Sequence, residues 1–162
     1  MSSSFDDILA EHGPTISRIV ANYAGPGAGR EDLRQDVWLA IWRAHKRFRG
    51  ESSLRTYVLR IAHNRCATWL SRQRKLSHEE EVEVVDKGGT PEEATSGRQE
   101  VERLMKAIRM LPLNQRQVIS LVLEGLSYRE VGEVLGLTEN TVGVRVHRAR
   151  QGIRRAMERG DG

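Results

Sequence analysis

The chain has 162 residues, of which 26 are lysine or arginine and 22 are aspartate or glutamate, so its formal net charge is +4. That length is enough for one ordinary domain or two small ones. No apolar run approaches the roughly 20 residues of a membrane-spanning helix, and the first residues lack the basic and apolar segments of a signal peptide. We therefore expect a cytoplasmic protein without membrane insertion. The single cysteine, Cys66, excludes a disulfide within the chain.

The charge is divided into three blocks. Residues 1–76 carry a net charge of +6, residues 77–102 carry −7, and residues 103–162 carry +5. Two basic blocks joined by an acidic one are the pattern of two polyanion-binding modules on a tether. Nucleic acid is therefore an expected partner, although a protein with an unevenly charged surface and another role would show the same pattern.

Helical periodicity dominates, and no strand-like alternation of useful length is present, which predicts an all-α fold. The pattern indicates two small helical domains, residues 1–76 and 99–162, joined by a flexible acidic linker over 77–98. The first predicted helix runs from about Ser4 to Tyr23, with a bend or break at Gly13-Pro14.

The second predicted helix, from about Glu31 to Arg47, is apolar on two faces. One stripe is formed by Leu33, Val37, Ile41, Ala44 and Phe48. Trp38 and Trp42 lie off that stripe, so this helix needs a second surface to pack on. We expect a neighbouring helix to cover Trp38. A neighbouring helix or a partner protein would satisfy the rest of the second face.

The third predicted helix extends from about Leu54 to Arg74, after a loop in which Ser52 or Ser53 is a candidate N-cap. One of its faces is apolar. The other face is basic and carries Arg55, Arg60, Arg65, Arg72, Arg74 and Lys75.

The second domain ends in a predicted helix-turn-helix. A helix from near Gln99 stops before Pro112, and another runs from Asn114 to Leu123. Ser127 and Glu130 then have the spacing of a capping box. Gly136 is expected to end that short helix, and Thr138 to cap the last one, which runs from Glu139 to about Met157.

The last helix has an apolar stripe and a polar reverse face, which is typical of a recognition helix in the major groove. On the reverse face, Arg148 is suited to guanine, Asn140 to adenine, and Val144 to a thymine methyl group. A plain surface helix with solvated arginines is the competing interpretation.

Two motif blocks in this order resemble the extracytoplasmic-function group of sigma factors. The stretch from Glu31 (EDLRQDVWLAIWRAHKRFRG) to Lys75 is similar to their region 2, and that from Leu111 (LPLNQRQVISLVLEGLSYREVGEVLG) to Met157 is similar to their region 4. The resemblance implies an alternative sigma factor, which is not an enzyme and needs no cofactor or metal. It would bind the RNA polymerase core, through the largest-subunit clamp and the flap, and promoter DNA, and an anti-sigma factor or another regulatory protein would control it.

The resemblance also implies roles for individual residues. The residues expected to bind core polymerase are Asp32, Gln35, Asp36, Leu39, Trp42 and Arg43. Those expected at the minus-ten element are Arg49, Ser53, Tyr57, Arg60, Asn64, Arg65, Arg72, Arg74 and Lys75. Those expected at the minus-thirty-five element are Thr138, Asn140, Thr141, Val144, Arg145, His147, Arg148 and Gln151. Asn64 resembles a residue that lines a pocket for a flipped base, and Tyr57 is open to either base stacking or a place in the core.

The chain departs from that group after Thr141-Val142, where relatives often carry a basic residue and then serine. Here Gly143 and Val144 occupy those positions, which changes the expected promoter sequence. Glycine at 143 also costs about 1 kcal/mol of helix propensity relative to alanine.

Two other functions remain open from the sequence. A stand-alone regulator with one helix-turn-helix would bind duplex DNA as a dimer, and an adaptor held by a partner protein would not bind DNA. An enzyme is disfavoured because His63 and Cys66 lack the second pair of ligands that a metal site needs, and because no glycine-rich phosphate loop is present.

Overall fold

The computed structural model describes residues 3–80 and 96–159. In these ranges the chain forms seven α-helices, one short 3-10 helix and no strand, which confirms the all-α class. The helices are α1 (Phe5–Ala21), α2 (Ala28–Ala44), the 3-10 helix (His45–Arg47), α3 (Leu54–Glu80), α4 (Ser96–Arg109), α5 (Leu113–Leu123), α6 (Tyr128–Leu135) and α7 (Glu139–Arg159). Across the same two stretches, no helix combines the length and the apolar character needed to cross a membrane.

Helices α1, α2 and α3 pack together as the first domain. Their core comes from the apolar stripes predicted for each helix, and on α2 it is formed by Leu33, Val37 and Ile41, all fully buried. Ser4 caps α1 through a capping box with Asp7. Ser53 caps α3, because its hydroxyl accepts the Thr56 amide at 3.0 Å.

The break expected at Gly13-Pro14 does not occur, because α1 runs through both residues. Proline in a helix leaves the carbonyl four residues earlier without its amide partner. Here Pro14 and Ala10 both lie on the exposed side of α1, so water can solvate that carbonyl. The helix therefore tolerates this proline without exposing its apolar face.

Several helix ends differ from the predicted ones. Helix α2 already begins at Ala28, after Gly27 with φ of 132°, so part of the expected glycine-rich loop is helical. Helix α3 continues past Arg74 to Glu80. Most of the acidic linker predicted for residues 77–98 lies outside the described residues.

Helices α4 to α7 form the second domain. Its core includes Ile108, Val118, Leu121, Val131 and Val146, all fully buried. The apolar stripe of α7 faces this core as predicted, and it packs mainly on α5, α4 and α6.

The two domains are in direct contact. Arg18 of α1 forms a bidentate ion pair with the Glu124 carboxylate, to which its Nε and Nη2 atoms donate at 2.8 and 2.7 Å. Asn22 donates to the buried Ser120 hydroxyl at 3.1 Å. The guanidinium of Arg116 lies over the Tyr23 ring, 5.6 Å from its centroid. Polar side chains thus contribute several of the contacts between the domains.

Candidate nucleic-acid interface

The helix-turn-helix has the predicted local geometry. The Ser127 hydroxyl accepts the Glu130 amide at 3.1 Å, and the Glu130 carboxylate accepts the Ser127 amide at 3.0 Å. These hydrogen bonds hold the pKa of Glu130 below its usual value. Gly136 ends α6 with φ of 71°, in the left-handed region that favours glycine. The Thr138 hydroxyl accepts the Thr141 amide at 3.2 Å, so the predicted cap of α7 is confirmed.

The polar face of α7 points away from the second domain's core. The side chains of Asn140, His147, Arg148 and Gln151 are exposed, and Val144 is 43% exposed. Arg145 and Thr141 are half-buried, and Thr138 and Thr141 are tied to one another in the cap. The structure thus brings all eight residues predicted for the minus-thirty-five element to one helix and its cap, with five of them on the open face.

Tyr128, at the start of α6, was missed by the sequence analysis. Its ring lies beside Gly143 and, with the exposed face of α7, lines an open concavity of about 710 Å³. The sequence signal that could have pointed to this space was Gly143, a residue without a side chain in the second turn of the recognition helix.

The residues predicted for the minus-ten element differ in exposure and in their contacts within the protein. Asn64, Arg72, Arg74 and Lys75 are exposed, as is Arg49 in the preceding loop. Four other residues predicted for the minus-ten element make contacts within the protein: Ser53, Tyr57, Arg60 and Arg65.

Arg65 forms a bidentate ion pair with Asp36 of α2, with N–O distances of 2.9 and 2.8 Å. This pairing raises the pKa of Arg65. One residue predicted for DNA and one predicted for polymerase therefore neutralise each other within the first domain.

Arg60 reaches across to the second domain. Its Nη2 donates to the Glu133 carbonyl at 2.7 Å and its Nε to the Val134 carbonyl at 3.3 Å. These carbonyls belong to the last turn of α6, whose terminal acceptors lack partners within the helix. Arg55 likewise donates to the Glu124 carbonyl at 3.3 Å. The basic face of α3 thus partly serves the contact between the domains.

Tyr57 has a place in the packing of the first domain. Its hydroxyl donates to the Ala44 carbonyl at 2.9 Å, and its ring lies 5.1 Å from that of Phe48. Of the two roles left open for Tyr57, this placement favours the core.

The second apolar face of α2 is open. Leu39 is 44% exposed and Trp42 is 49% exposed, and with Leu9 of α1 they line a groove of about 600 Å³. Asp32, Gln35 and Arg43 are also exposed on this helix. Trp38 is different, because it packs edge-on against Phe5 with ring centroids 6.0 Å apart, as expected from the sequence.

His63 and Cys66 both lie in the core of the first domain. The Tyr23 hydroxyl lies 3.1 Å from His63 Nδ1, and burial lowers the pKa of His63 to about 4. Burial also raises the pKa of the Cys66 thiol to about 12. Among the described residues, no group of three or more histidine, cysteine, aspartate or glutamate side chains is placed to hold a metal ion.

Each of the two domains matches a known protein-family model. The model described as Sigma-70 region 2 matches residues 8–76, and that described as Sigma-70, region 4 matches residues 101–152. Together the two matches cover most of the chain.

Curated proteins with similar sequences include RNA polymerase sigma factors. The chain is 28% identical over 155 residues to the RNA polymerase sigma factor NccH of Alcaligenes xylosoxydans xylosoxydans, covering 91% of this chain and 83% of that protein. It is 26% identical over 162 residues to the ECF RNA polymerase sigma-E factor of Escherichia coli K12, covering 93% and 84%.

Two solved structures share the fold. One is CnrH in complex with the cytosolic domain of CnrY, with a TM-score of 0.69, 23% identity, and coverage of 95% of this chain and 87% of that chain. The other is the sigma factor RpoE in complex with the anti-sigma factor NepR from Bartonella quintana, with a TM-score of 0.77, 22% identity, and coverage of 95% and 96%.

The chain belongs to the sigma-70 family. Within that family it is an extracytoplasmic-function sigma factor, an alternative sigma factor that directs transcription from particular promoters. Proteins of this class are initiation factors rather than enzymes. A stand-alone regulator with one helix-turn-helix is not favoured, because it would leave the region 2 match unexplained.

Proposed function

We propose that the chain divides its work between its two domains. Residues 1–76 dock on core polymerase and recognise and open the minus-ten element, residues 77–98 form the linker, and residues 99–162 bind the minus-thirty-five element. The observation that carries this proposal is that each domain leaves one chemically distinct face open. The first leaves the apolar groove on α2, and the second leaves the basic face of α7.

Docking on polymerase is assigned to the open face of α2. Exposed tryptophan and leucine side chains at the centre of a patch, with polar groups at its edge, are typical of a protein interface. Trp42 and Leu39 supply the apolar centre, and Asp32 and Arg43 supply the edge. We assign this face to the clamp of the largest subunit. Asp36 has a lesser part, because Arg65 already neutralises it.

Recognition of the minus-ten element is assigned to the loop before α3 and to the exposed part of its basic face. An unpaired strand needs basic groups for its backbone and polar groups for its base edges. Arg49, Arg72 and Lys75 are open for the first task and Asn64 for the second. Arg60 can join them only after it releases the α6 carbonyls. Tyr57 has an indirect part, because its hydroxyl donates to the Ala44 carbonyl and its ring packs beside Phe48.

Separation of the two domains would release Arg60 from the α6 carbonyls, so we propose that the closed arrangement is not the one that engages a promoter. The relatives CnrH and RpoE were solved with CnrY and with the anti-sigma factor NepR. By analogy, we propose that an inhibitor protein binds this chain and stabilises its closed form. We propose that this chain itself works in the cytoplasm and is associated with the nucleoid when it is bound to polymerase.

Run-off transcription with purified core polymerase on a randomised promoter library tests the proposal. We expect initiation only when the chain is added, with enriched sequence at two elements. Duplex binding by the chain without core, combined with no initiation when core is present, would instead make it a stand-alone regulator.

Two charge reversals then test the docking face. Asp32→Arg should weaken binding to core polymerase. Glu102→Arg on α4 makes the same change of charge at an exposed site of the other domain and should leave core affinity unchanged. Equal core affinity in both variants would contradict the assignment of α2.

A further inference from the structure

The exposed face of α7 carries a notch beside Gly143. The Cε2 and Cδ2 atoms of Tyr128 lie 3.7 and 3.8 Å from the position that a Cβ atom at residue 143 would take. Tyr128 is 37% exposed and stands at the first turn of α6. The aromatic ring therefore forms a wall of the space that a longer side chain at residue 143 would fill.

The notch is apolar at its centre and polar around it. The Tyr128 ring, the Gly143 backbone and the exposed Val144 methyl groups form the apolar part. Asn140 lies one helical turn before Val144, and Arg148 one turn after it, on the same face. This combination suits an apolar group that is carried by a polar and negatively charged molecule.

We propose that Tyr128 and Val144 select a thymine in the minus-thirty-five element by receiving its 5-methyl group in this notch. The inference deepens the proposed binding of α7 to that element and rests on it. Of the four bases, only thymine presents a methyl group in the major groove. Arg148 and Asn140 next to the notch can donate to neighbouring bases or phosphates, which fixes the register in which the methyl group enters.

Charge complementarity supports duplex DNA as the occupant. Arg148 lines the notch, and the exposed Arg150, Arg154 and Arg155 lie further along the same helix. Glu139 is the one acidic side chain among the residues that line the notch, and it lies in the first turn of α7, where a carboxylate stabilises the helix dipole. A basic side chain at residue 143 would replace this apolar contact with a charged one, so the glycine changes which base is read.

Uracil substitution tests this proposal, because uracil differs from thymine only by the methyl group. A promoter is first selected from the library with the holoenzyme formed from the full chain. Each thymine of the minus-thirty-five element, on either strand, is then replaced by uracil, and holoenzyme binding is measured by competition. We expect one position to lose about three- to five-fold in affinity, the value of burying one methyl group.

Three variants locate the effect. Gly143→Leu should fill the notch and abolish the difference between thymine and uracil, and Val144→Ala should reduce it. Glu158→Leu adds the same side chain at an exposed position near the end of α7, away from the notch, and should leave the difference intact. The inference is overturned if every thymine tolerates uracil, or if Gly143→Leu and Val144→Ala both discriminate as the wild type does. If binding is independent of the whole minus-thirty-five sequence, the proposed function of the second domain fails as well.

Discussion

Two glycine-to-alanine substitutions one helix apart should change stability in opposite directions. Gly132 lies in α6, and a Cβ atom there would sit 2.4 Å from the backbone carbonyl oxygen of Leu137. Gly143 lies in α7, where the nearest atom to a Cβ is a Tyr128 ring carbon at an ordinary 3.7 Å. Alanine is favoured over glycine in a helix by about 1 kcal/mol at either site.

At Gly132 the gain in propensity is outweighed. Overpacking against a rigid neighbour costs about 1–3 kcal/mol. The Leu137 amide, which donates to the Gly132 carbonyl at 2.9 Å, would also shift, and its hydrogen bond is worth about 1 kcal/mol. We therefore expect Gly132→Ala to lower the free energy of unfolding by about 2 kcal/mol and Gly143→Ala to raise it by up to about 1 kcal/mol.

Urea unfolding of the full chain, followed by circular dichroism at the helical band, measures both values. The reasoning rests on the turn between α6 and α7 being held by backbone contacts that cannot yield. If Gly132→Ala were as stable as Gly143→Ala, the close approach of Leu137 would not constrain the helix-turn-helix. A loss of stability in Gly143→Ala would show that the space beside Tyr128 is smaller than the structure indicates.

Three further outcomes follow from buried or paired groups. Burial lowers the pKa of His63 from 6.5 to about 4, so the unfolded chain binds an extra proton between these values and stability falls as the pH drops through them; His63→Gln should flatten that part of the pH profile, and an unchanged slope would contradict the assignment. Burial raises the pKa of the Cys66 thiol to about 12, so a thiol reagent should label it only along the urea unfolding curve, and fast labelling of the native chain would refute its burial. Arg18→Glu should separate the domains and increase the radius of gyration in X-ray scattering, and adding Glu124→Arg should reverse part of the increase; no reversal would mean that this ion pair does not hold the domains.

The sequence predicted the helices and caps well because those features are local. Ser127 with Glu130, Gly136 and Thr138 each act within one turn of chain, and the structure confirms all of them. The absence of a break at Pro14 shows the limit of a local rule, since the cost of a missing hydrogen bond depends on whether water reaches the freed carbonyl. The contact of Tyr128 with Gly143 joins two helices across a turn and leaves no periodic signal in either of them.

The charge blocks of the sequence predicted polyanion binding, but net charge does not show which cations are already engaged. Arg65 is neutralised by Asp36, and Arg60 is bound to the last carbonyls of α6. Both arginines bond to groups that are far from them in the sequence, so neither contact can be read from a local pattern. Arg60, one of several side chains that join the domains, is thus also one that the proposed minus-ten contact would use. Because a guanidinium that bonds to the α6 carbonyls cannot donate the same hydrogens to phosphate, binding DNA at Arg60 and closing the domains through it compete. We therefore expect a partner that strengthens the closed arrangement to withhold Arg60 from the proposed minus-ten contact without touching that surface.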